Sequence, residues 1–369
     1  MFDVHSLLTD NRKRLFIMYN DLRKILKSDP IEASAPCRID MGGTLDISTF
    51  HYPLRHFSPC TFNIALDLRT RVYLSAYNKG MVKVSSKGFK SVEYPLSTVP
   101  FDYPLGLMFA IAAYFGVQGV HIQIESSSPP RSALGGSSSA AVALIAAFSR
   151  AFEKIGAGKI LSRKDTAILA YAIEGSVAGV PCGLQDQLAA AYGGINTWYW
   201  FDGIKGSCFK KKAVYQKKFF KNFEKHLLLA YCGVPHVSKD INGKWVKQFL
   251  SGKHRKVWAE IIAYTHGFVD ALTKHDFEYA AESMNGEMAL RKKMTPEVLD
   301  SMGEKLVDSA IRNNCGARFT GAGGGGCIWA IGEIEDIAIL EKEWESILSE
   351  REEARMLDVN IDSKGLLIQ

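Results

Sequence analysis

Residues 129–141 read Pro129-Pro130-Arg131-Ser132-Ala133-Leu134-Gly135-Gly136-Ser137-Ser138-Ser139-Ala140-Ala141, and Val142-Ala143-Leu144-Ile145-Ala146-Ala147-Phe148 continues the run. A Ser/Pro/Gly loop gives way here to a helix of small and apolar residues, with serine as its expected cap. The first amides of a helix have no partner inside it and carry partial positive charge. Glycines just before such a start let a polyphosphate approach the backbone and accept from those amides. Serine hydroxyls add donors and suit Mg²⁺, a hard ion that prefers oxygen. By composition alone the stretch fits equally a serine-capped alanine helix behind a flexible loop.

Upstream, Val120–Glu125 alternates as a strand does, and Leu105–Gly116 reads as a buried helix. Phe62–Leu66, Arg71–Ala76 and Val82–Ser85 form a β-rich run, and Leu7–Leu26 has the apolar spacing of an amphipathic helix ending near Ser28-Asp29-Pro30. Downstream, a helix is expected from Asp165 to Ser176, then a loop at Pro181–Gln187, a short helix to Tyr192 and an aromatic strand at Ile195–Phe201. Lys210–Lys221 is a basic, weakly patterned stretch that suggests a boundary just before it. Beyond it lie a strand at Leu227–Tyr231 and long helices at Val257–Leu272, Phe277–Met294 and Pro296–Asn313. Strands at Arg318–Thr320 and Cys327–Ile331 bracket a glycine loop, Gly321–Gly326; a charged helix, Glu333–Arg355, and a strand near Leu357–Ile361 follow.

At 369 residues and 47% hydrophobic content the chain has material for two cores, because chains beyond roughly 250–300 residues tend to split. The formal charge of +6 is compatible with an anionic ligand or with a solvated basic face. No recognisable nucleic-acid module accompanies the basic run, so no nucleic-acid partner is expected. No segment approaches the roughly 20 apolar residues of a membrane span, and the start of the chain lacks a signal-peptide pattern. Seven dispersed cysteines, none in a C-x-x-C pair, fit reduced thiols, so a cytoplasmic location is expected. There is no G-x-x-x-x-G-K-[ST]. One G-x-G-x-x-G occurs, at Gly321, Gly323 and Gly326, but the residues after it, Cys327-Ile328-Trp329-Ala330-Ile331, read as a strand. A dinucleotide fold needs a helix there, which argues against a dehydrogenase.

Three segments together carry a resemblance: Pro36-Cys37-Arg38-Ile39-Asp40-Met41-Gly42-Gly43-Thr44-Leu45-Asp46, the Pro129–Ala141 loop, and Phe319-Thr320-Gly321-Ala322-Gly323-Gly324-Gly325-Gly326-Cys327. In this order and at these separations they resemble the three motifs of the GHMP kinases. Gly183-Leu184-Gln185-Asp186-Gln187 with Tyr192-Gly193-Gly194 looks most like heptose-7-phosphate kinases and the kinase part of fucokinases. The second motif departs from the family in having Ala133 where glycine is usual. The resemblance implies an α+β, two-domain fold. Its N-terminal domain would be like domain 2 of ribosomal protein S5 and its C-terminal domain ferredoxin-like, with residues 1–34 as a helical extension, 35–205 as the ATP-binding part and 206–369 as the C-terminal part.

It also implies ATP and Mg²⁺, a sugar or sugar-phosphate substrate, phosphorylation at a hydroxyl such as that on the anomeric carbon, and a monomer or homodimer. Pro130, Ser132, Leu134, Gly135, Gly136, Ser137, Ser138 and Ser139 would hold the nucleotide. Asp186 takes the catalytic-base position, although an aspartate before Gln187-Leu188-Ala189 is also a good helix cap. Arg38 matches the basic residue near the acceptor hydroxyl; otherwise it is a surface ion pair. Glu174 matches the Mg²⁺ carboxylate, with Ser137 as hydroxyl partner and Ser138 as the alternative; otherwise Glu174 is an ordinary solvated helix residue. Thr44, Asp46 and Gln185 would meet the substrate, or Thr44 and Asp46 are merely turn residues. His236 would face an anionic group or be a satisfied loop histidine, and Gly323 and Gly324 would shape the cleft wall. The competing enzyme reading is a mevalonate-type kinase, and a non-catalytic sugar-binding relative is the third.

Overall fold

The computed structural model describes residues 21–102, 104–179, 181–201, 206–235 and 241–369. The expected N-terminal helix falls largely outside these residues. Its last two turns, α1 (residues 21–28), put Leu22 and Leu26 into the core and stop at Asp29-Pro30 as expected.

The long strands come first because the chain alternates over unusual lengths. β1 (Ile31–Met41) pairs antiparallel with β2 (Cys60–Ala76), and short α2 (Ser48–His51) lies between them. β2 is one 17-residue strand where two had been expected. The register slips between Pro36 and Cys37, where Asp67 and Leu68 bulge from β2. That bulge hides the continuity in sequence. β3 (Met81–Ser86), β4 (Val92–Pro95), α3 (Gly106–Tyr114) and β5 (Val120–Ser126) follow. Then come the helices α4 (Gly136–Lys154), α5 (Arg163–Val177) and α6 (Gln185–Tyr192), which pack on one another. β6 (Ile195–Trp200) and β7 (Phe209–Ala213) complete most of the first sheet.

The Lys210-Lys211-Lys212 run lies in β7, which pairs with β6 alone and exposes its lysines. Charged residues on an edge strand discourage further pairing, and they also mask the strand signal. The first sheet therefore extends past residue 205, because β7 hydrogen-bonds to it.

The second sheet is a four-stranded antiparallel unit. α7 (Phe220–Phe223) leads into β8 (Leu227–Tyr231), and then come α8 (Ile241–Leu250), α9 (Arg255–Thr273), α10 (Phe277–Met294) and α11 (Ser301–Arg312). β9 (Gly316–Phe319), β10 (Cys327–Ile331), α12 (Ile334–Leu348) and β11 (Arg355–Met356) finish it. The spatial order β11-β8-β10-β9 is the fourth, first, third and second strand of this half, a βαββαβ ferredoxin-like arrangement. The expected terminal strand at 357–361 reduces to β11 and a single bridge, Leu66 to Ile361. The chain end crosses back as β12 (Leu367–Ile368), pairing with β1.

The two halves share a core. Ile31, Ala33 and Ala35 pack with α4, while Cys37, Ile39 and Met41 pack with Leu229, Phe268 and Trp329 of the second half. Arg38 and Asp40 alternate with that second set and point to the other face of β1. Among the described residues no helix is long and apolar enough to cross a membrane.

Candidate active site

The loop before α4 sets the site. Gly135 is the N-cap, in the left-handed region at φ 75°, and no side chain caps the helix. The expected serine cap is thus corrected: glycine makes the turn, and the serines fall inside the first turn. The first helical bond is the Ser139 N–H to Gly135 O, 2.9 Å, so Gly136, Ser137 and Ser138 present the helix's opening amides. A Cβ on Gly135 would lie 3.3 Å from Asp186 Oδ2 and 3.5 Å from the Arg38 guanidinium, so the backbone passes directly over that pair.

Arg38 and Asp186 form a bidentate pair: Nε donates to Oδ1 at 2.8 Å and Nη2 to Oδ2 at 2.9 Å. Arg38 Nη1 donates to Ala133 O at 2.6 Å, and the Arg38 N–H to Leu134 O at 2.9 Å, which ties β1 to the loop. Arg38 is not a surface residue; it is 4% exposed. Burial opposes its charge, but Asp186 and Asp40 overcompensate and raise its pKa. Asp186 sits in the first turn of α6 with 22% of its side chain exposed. The N-cap there is Leu184, so Asp186 does not cap the helix.

Glu174 on α5 is half-buried rather than fully solvated. Its Oε2 accepts from Ser138 Oγ at 2.8 Å and from Gln187 Nε2 at 2.7 Å. The hydroxyl on Glu174 is therefore that of Ser138, and Ser137, one helical step round, is exposed. Burial pushes the Glu174 carboxyl up to about 7; the Ser138 hydroxyl works against this and Asp186 with it. Asp46 is also buried, accepts the Gln185 N–H at 2.9 Å, and is pushed up to about 7 by burial, with that amide opposing and Asp186 adding. A Cβ on Gly183 would overlap the Asp46 carboxylate, so glycine there is a spatial requirement. Gln185 Oε1 accepts from Asn63 Nδ2 at 2.8 Å.

These groups line one cavity of about 860 Å³. Its apolar lining includes Phe89, Leu105, Leu107 and Met108; its polar lining includes Thr44, Asp46, Gln185, Asp186 and Glu174, with Pro130, Ser132, Gly135, Gly136, Ser137 and Ser138 along the loop. Ser139 does not line it, since its hydroxyl is spent on Pro36 O and Gly135 O. Leu134 lines it but is almost wholly buried. Gly323 and Gly324 turn their N–H groups to Thr320 O and Val298 O, and Gly321 and Ala322 reach the cavity in their place. His236 lies outside the described residues.

Residues 102–194 match the GHMP kinases N terminal domain, and residues 268–346 match the GHMP kinases C terminal domain. The chain is a GHMP kinase. A mevalonate kinase of Thermococcus sibiricus is 24% identical over 330 residues, 81% of this chain and 88% of that one. The D-glycero-alpha-D-manno-heptose 7-phosphate kinase of Campylobacter jejuni is 27% identical over 207 residues, 54% of this chain and 58% of its own. The crystal structure of Lactococcus lactis galactokinase complexed with galactose superposes with a TM-score of 0.71 at 14% identity, covering 96% of this chain and 99% of that one. At that identity the likeness shows the fold alone.

GHMP kinases are small-molecule kinases that use ATP as substrate. In this kinase, Glu174 and Ser138 offer a half-buried pair of oxygen ligands beside the opening amides of α4. A carboxyl whose desolvation raises it to about 7 is one that a cation would return to its charged form. Among the described residues no group of three His, Cys, Asp or Glu side chains forms a metal cage. This donor set suits Mg²⁺, which commonly takes one or two carboxylates and completes its shell with water and phosphate oxygens.

Sequence reasoning missed Asp40, Cys182 and Gln187. Asp40 was legible in principle, two residues from Arg38 on one strand and so on one face. Cys182 lines the cavity, and burial, then Glu174 and Asp46, push its thiol up to about 12, so it stays neutral. The Glu287–Arg291 pair of α10 carried only the i, i+4 signal of an ordinary helix surface.

Proposed function

We propose that this kinase transfers the γ-phosphoryl group of ATP to a hydroxyl, that of the anomeric carbon C1, of a sugar or sugar phosphate, with Asp186 as base. The observation that carries the reading is the bidentate Arg38–Asp186 pair lying under Gly135 at the start of α4. A triphosphate on the α4 amides would place its terminal group beside that pair. Phosphoryl transfer asks for alignment, charge neutralisation and removal of the acceptor proton more than for covalent chemistry. Asp186 accepts the acceptor's proton, and Arg38 fixes the orientation of that carboxylate while adding positive charge beside the transferred group. Asp46 and Gln185 grip the neighbouring hydroxyls. Mg²⁺ held by Glu174 and Ser138 would neutralise the phosphate charge.

The likeness to mevalonate kinases supports a second reading, an isoprenoid acid as acceptor. Against it, the Asp46 carboxylate faces the cavity as an acceptor for hydroxyls, and the cation beside Asp186, Arg38, is already paired with Asp186 itself. The convergence of Arg38, Asp186 and Glu174 argues against a non-catalytic sugar binder. An ADP-release screen of free hexoses, hexose phosphates and mevalonate with Mg²⁺-ATP separates these. Turnover on mevalonate alone overturns the sugar assignment, and ligand binding without turnover overturns catalysis. Asp186→Asn should lower kcat by about 10²- to 10⁴-fold with KM for ATP near normal; unchanged turnover removes Asp186 from the mechanism.

A further inference from the structure

Four charged side chains with no exposed surface, Asp40, Glu287, Arg291 and Arg318, form a ladder behind the site. Arg291 Nε donates to Glu287 Oε1 at 2.9 Å, Arg318 Nε to Glu287 Oε2 at 3.2 Å, and Arg318 Nη1 to Asp40 Oδ2 at 2.9 Å. The ladder joins α10 and β9 of the second half to β1 of the first.

Each end meets an acceptor-site segment. At one end Arg291 donates from Nη2 to Gly43 O at 2.6 Å and from Nη1 to Thr44 Oγ1 at 3.3 Å, holding the turn that leads to Asp46. Its guanidinium lies 4.7 Å and 4.8 Å from the ring centres of Trp245 and Trp258, which restricts its movement. At the other end Asp40 Oδ1 accepts the Gly321 N–H at 2.8 Å and stands 3.9 Å from Arg38 Nη1, the guanidinium that grips Asp186.

Stability is a poor explanation for this arrangement. Buried ion pairs recover their desolvation cost only when every group is satisfied, and apolar residues of similar size often do as well. Here Arg318 Nη2 has no hydrogen-bond partner among the described residues. What the ladder does supply is a fixed register between Thr44–Asp46 and Arg38–Asp186 from outside the cleft.

We infer that Arg291, through Glu287, Arg318 and Asp40, is a positioning residue that sets the acceptor turn against the Arg38–Asp186 pair. This rests on the proposed acceptor site. The nucleotide loop at α4 takes no bond from Arg291, so the effect should fall on the acceptor and not on ATP.

The test is Arg291→Lys, which keeps the charge facing Glu287 but cannot reproduce the fork to Gly43 O and Thr44 Oγ1. Kinetics are measured on whichever hexose, hexose phosphate or mevalonate the wild-type enzyme phosphorylates. A wrong sugar assignment therefore shows in the wild type, and a wrong ladder assignment shows only in the variant. The expected result is a folded protein whose kcat/KM for the acceptor falls about 10- to 100-fold while KM for ATP stays within about twofold. Unchanged constants, or equal losses on both substrates, overturn the inference. If Arg291→Lys does not accumulate, the charge-balanced Glu287→Gln/Arg291→Gln double variant replaces it, with Arg318 and Asp40 left as a pair. A folded double variant with the same acceptor-selective loss supports the positioning role, and failure of both to fold assigns the ladder to stability alone.

Discussion

Replacing Asp46 with asparagine should make this kinase more stable at pH 8 and less active. Asp46 is 4% exposed, and its carboxylate lies against the Gly183 backbone with the Gln185 N–H on Oδ2. Burial is the main reason its pKa rises from 3.8 to about 7, so the folded state binds a proton more tightly than the unfolded chain does. Stability from this group is fully present below pH 4 and is lost as pH climbs from about 4 to 7. A rise of about three in pKa at about 1.36 kcal/mol each gives a ceiling of about 4 kcal/mol, and local relaxation brings the expected loss to about 2–4 kcal/mol. Asparagine keeps the amide's acceptor and has no charge to desolvate. Urea unfolding of the nucleotide-free protein across pH 4.5–8 reads the effect. The variant-minus-wild-type difference should be smallest at the acid end, where up to about 1 kcal/mol of the penalty is already present, and grow to about 2–4 kcal/mol in the variant's favour by pH 8. Glu174, also raised to about 7, titrates in both proteins and largely cancels from the difference. Activity should move the other way: losing a charged acceptor for substrate hydroxyls costs about 10- to 100-fold in kcat/KM. A stability difference independent of pH would refute the placement of a buried, ionisable Asp46 against Gly183.

Two further perturbations follow from backbone and donor geometry. Ala133 sits at φ 61°, which costs a non-glycine residue about 1–2 kcal/mol, while glycine returns about 0.4–1 kcal/mol of unfolded-chain entropy. Ala133→Gly should therefore raise unfolding stability by about 0.5 kcal/mol with activity retained; a clear loss of stability in thermal or urea unfolding would mean that the methyl packs more than it strains. Glu174→Gln should raise the Mg²⁺ concentration for half-maximal rate by about tenfold or more at saturating ATP. An unchanged Mg²⁺ titration would separate Glu174 from the cation.

The strands that alternate cleanly, such as Val120–Ser126, and the amphipathic helix Arg255–Thr273 were legible because one face of each is buried by neighbours that do not change its period. β2 was read as two strands because its bulge residues break the pattern, and β7 was missed because an edge strand can carry three exposed lysines. The site divides along a similar line. Local signals found the α4 start but not its cap, since only the backbone shows Gly135 in the left-handed region. They also could not choose between Ser137 and Ser138, because neighbouring residues on a helix point about 100° apart and the phase depends on where the helix begins. Arg38 and Asp186 lie 148 residues apart, so no spacing rule joins them; the family resemblance did, through the Pro36–Asp46 motif for one and the Gly183–Gln187 loop for the other. The ladder lay beyond both kinds of signal. Glu287 and Arg291 follow the same i, i+4 pattern as a solvated pair, and what distinguishes them is that Arg318 and the two indoles arrive from segments remote in sequence. Burial of a charge is a tertiary property. It marks the places where the fold fixes geometry at a cost that local propensity does not record.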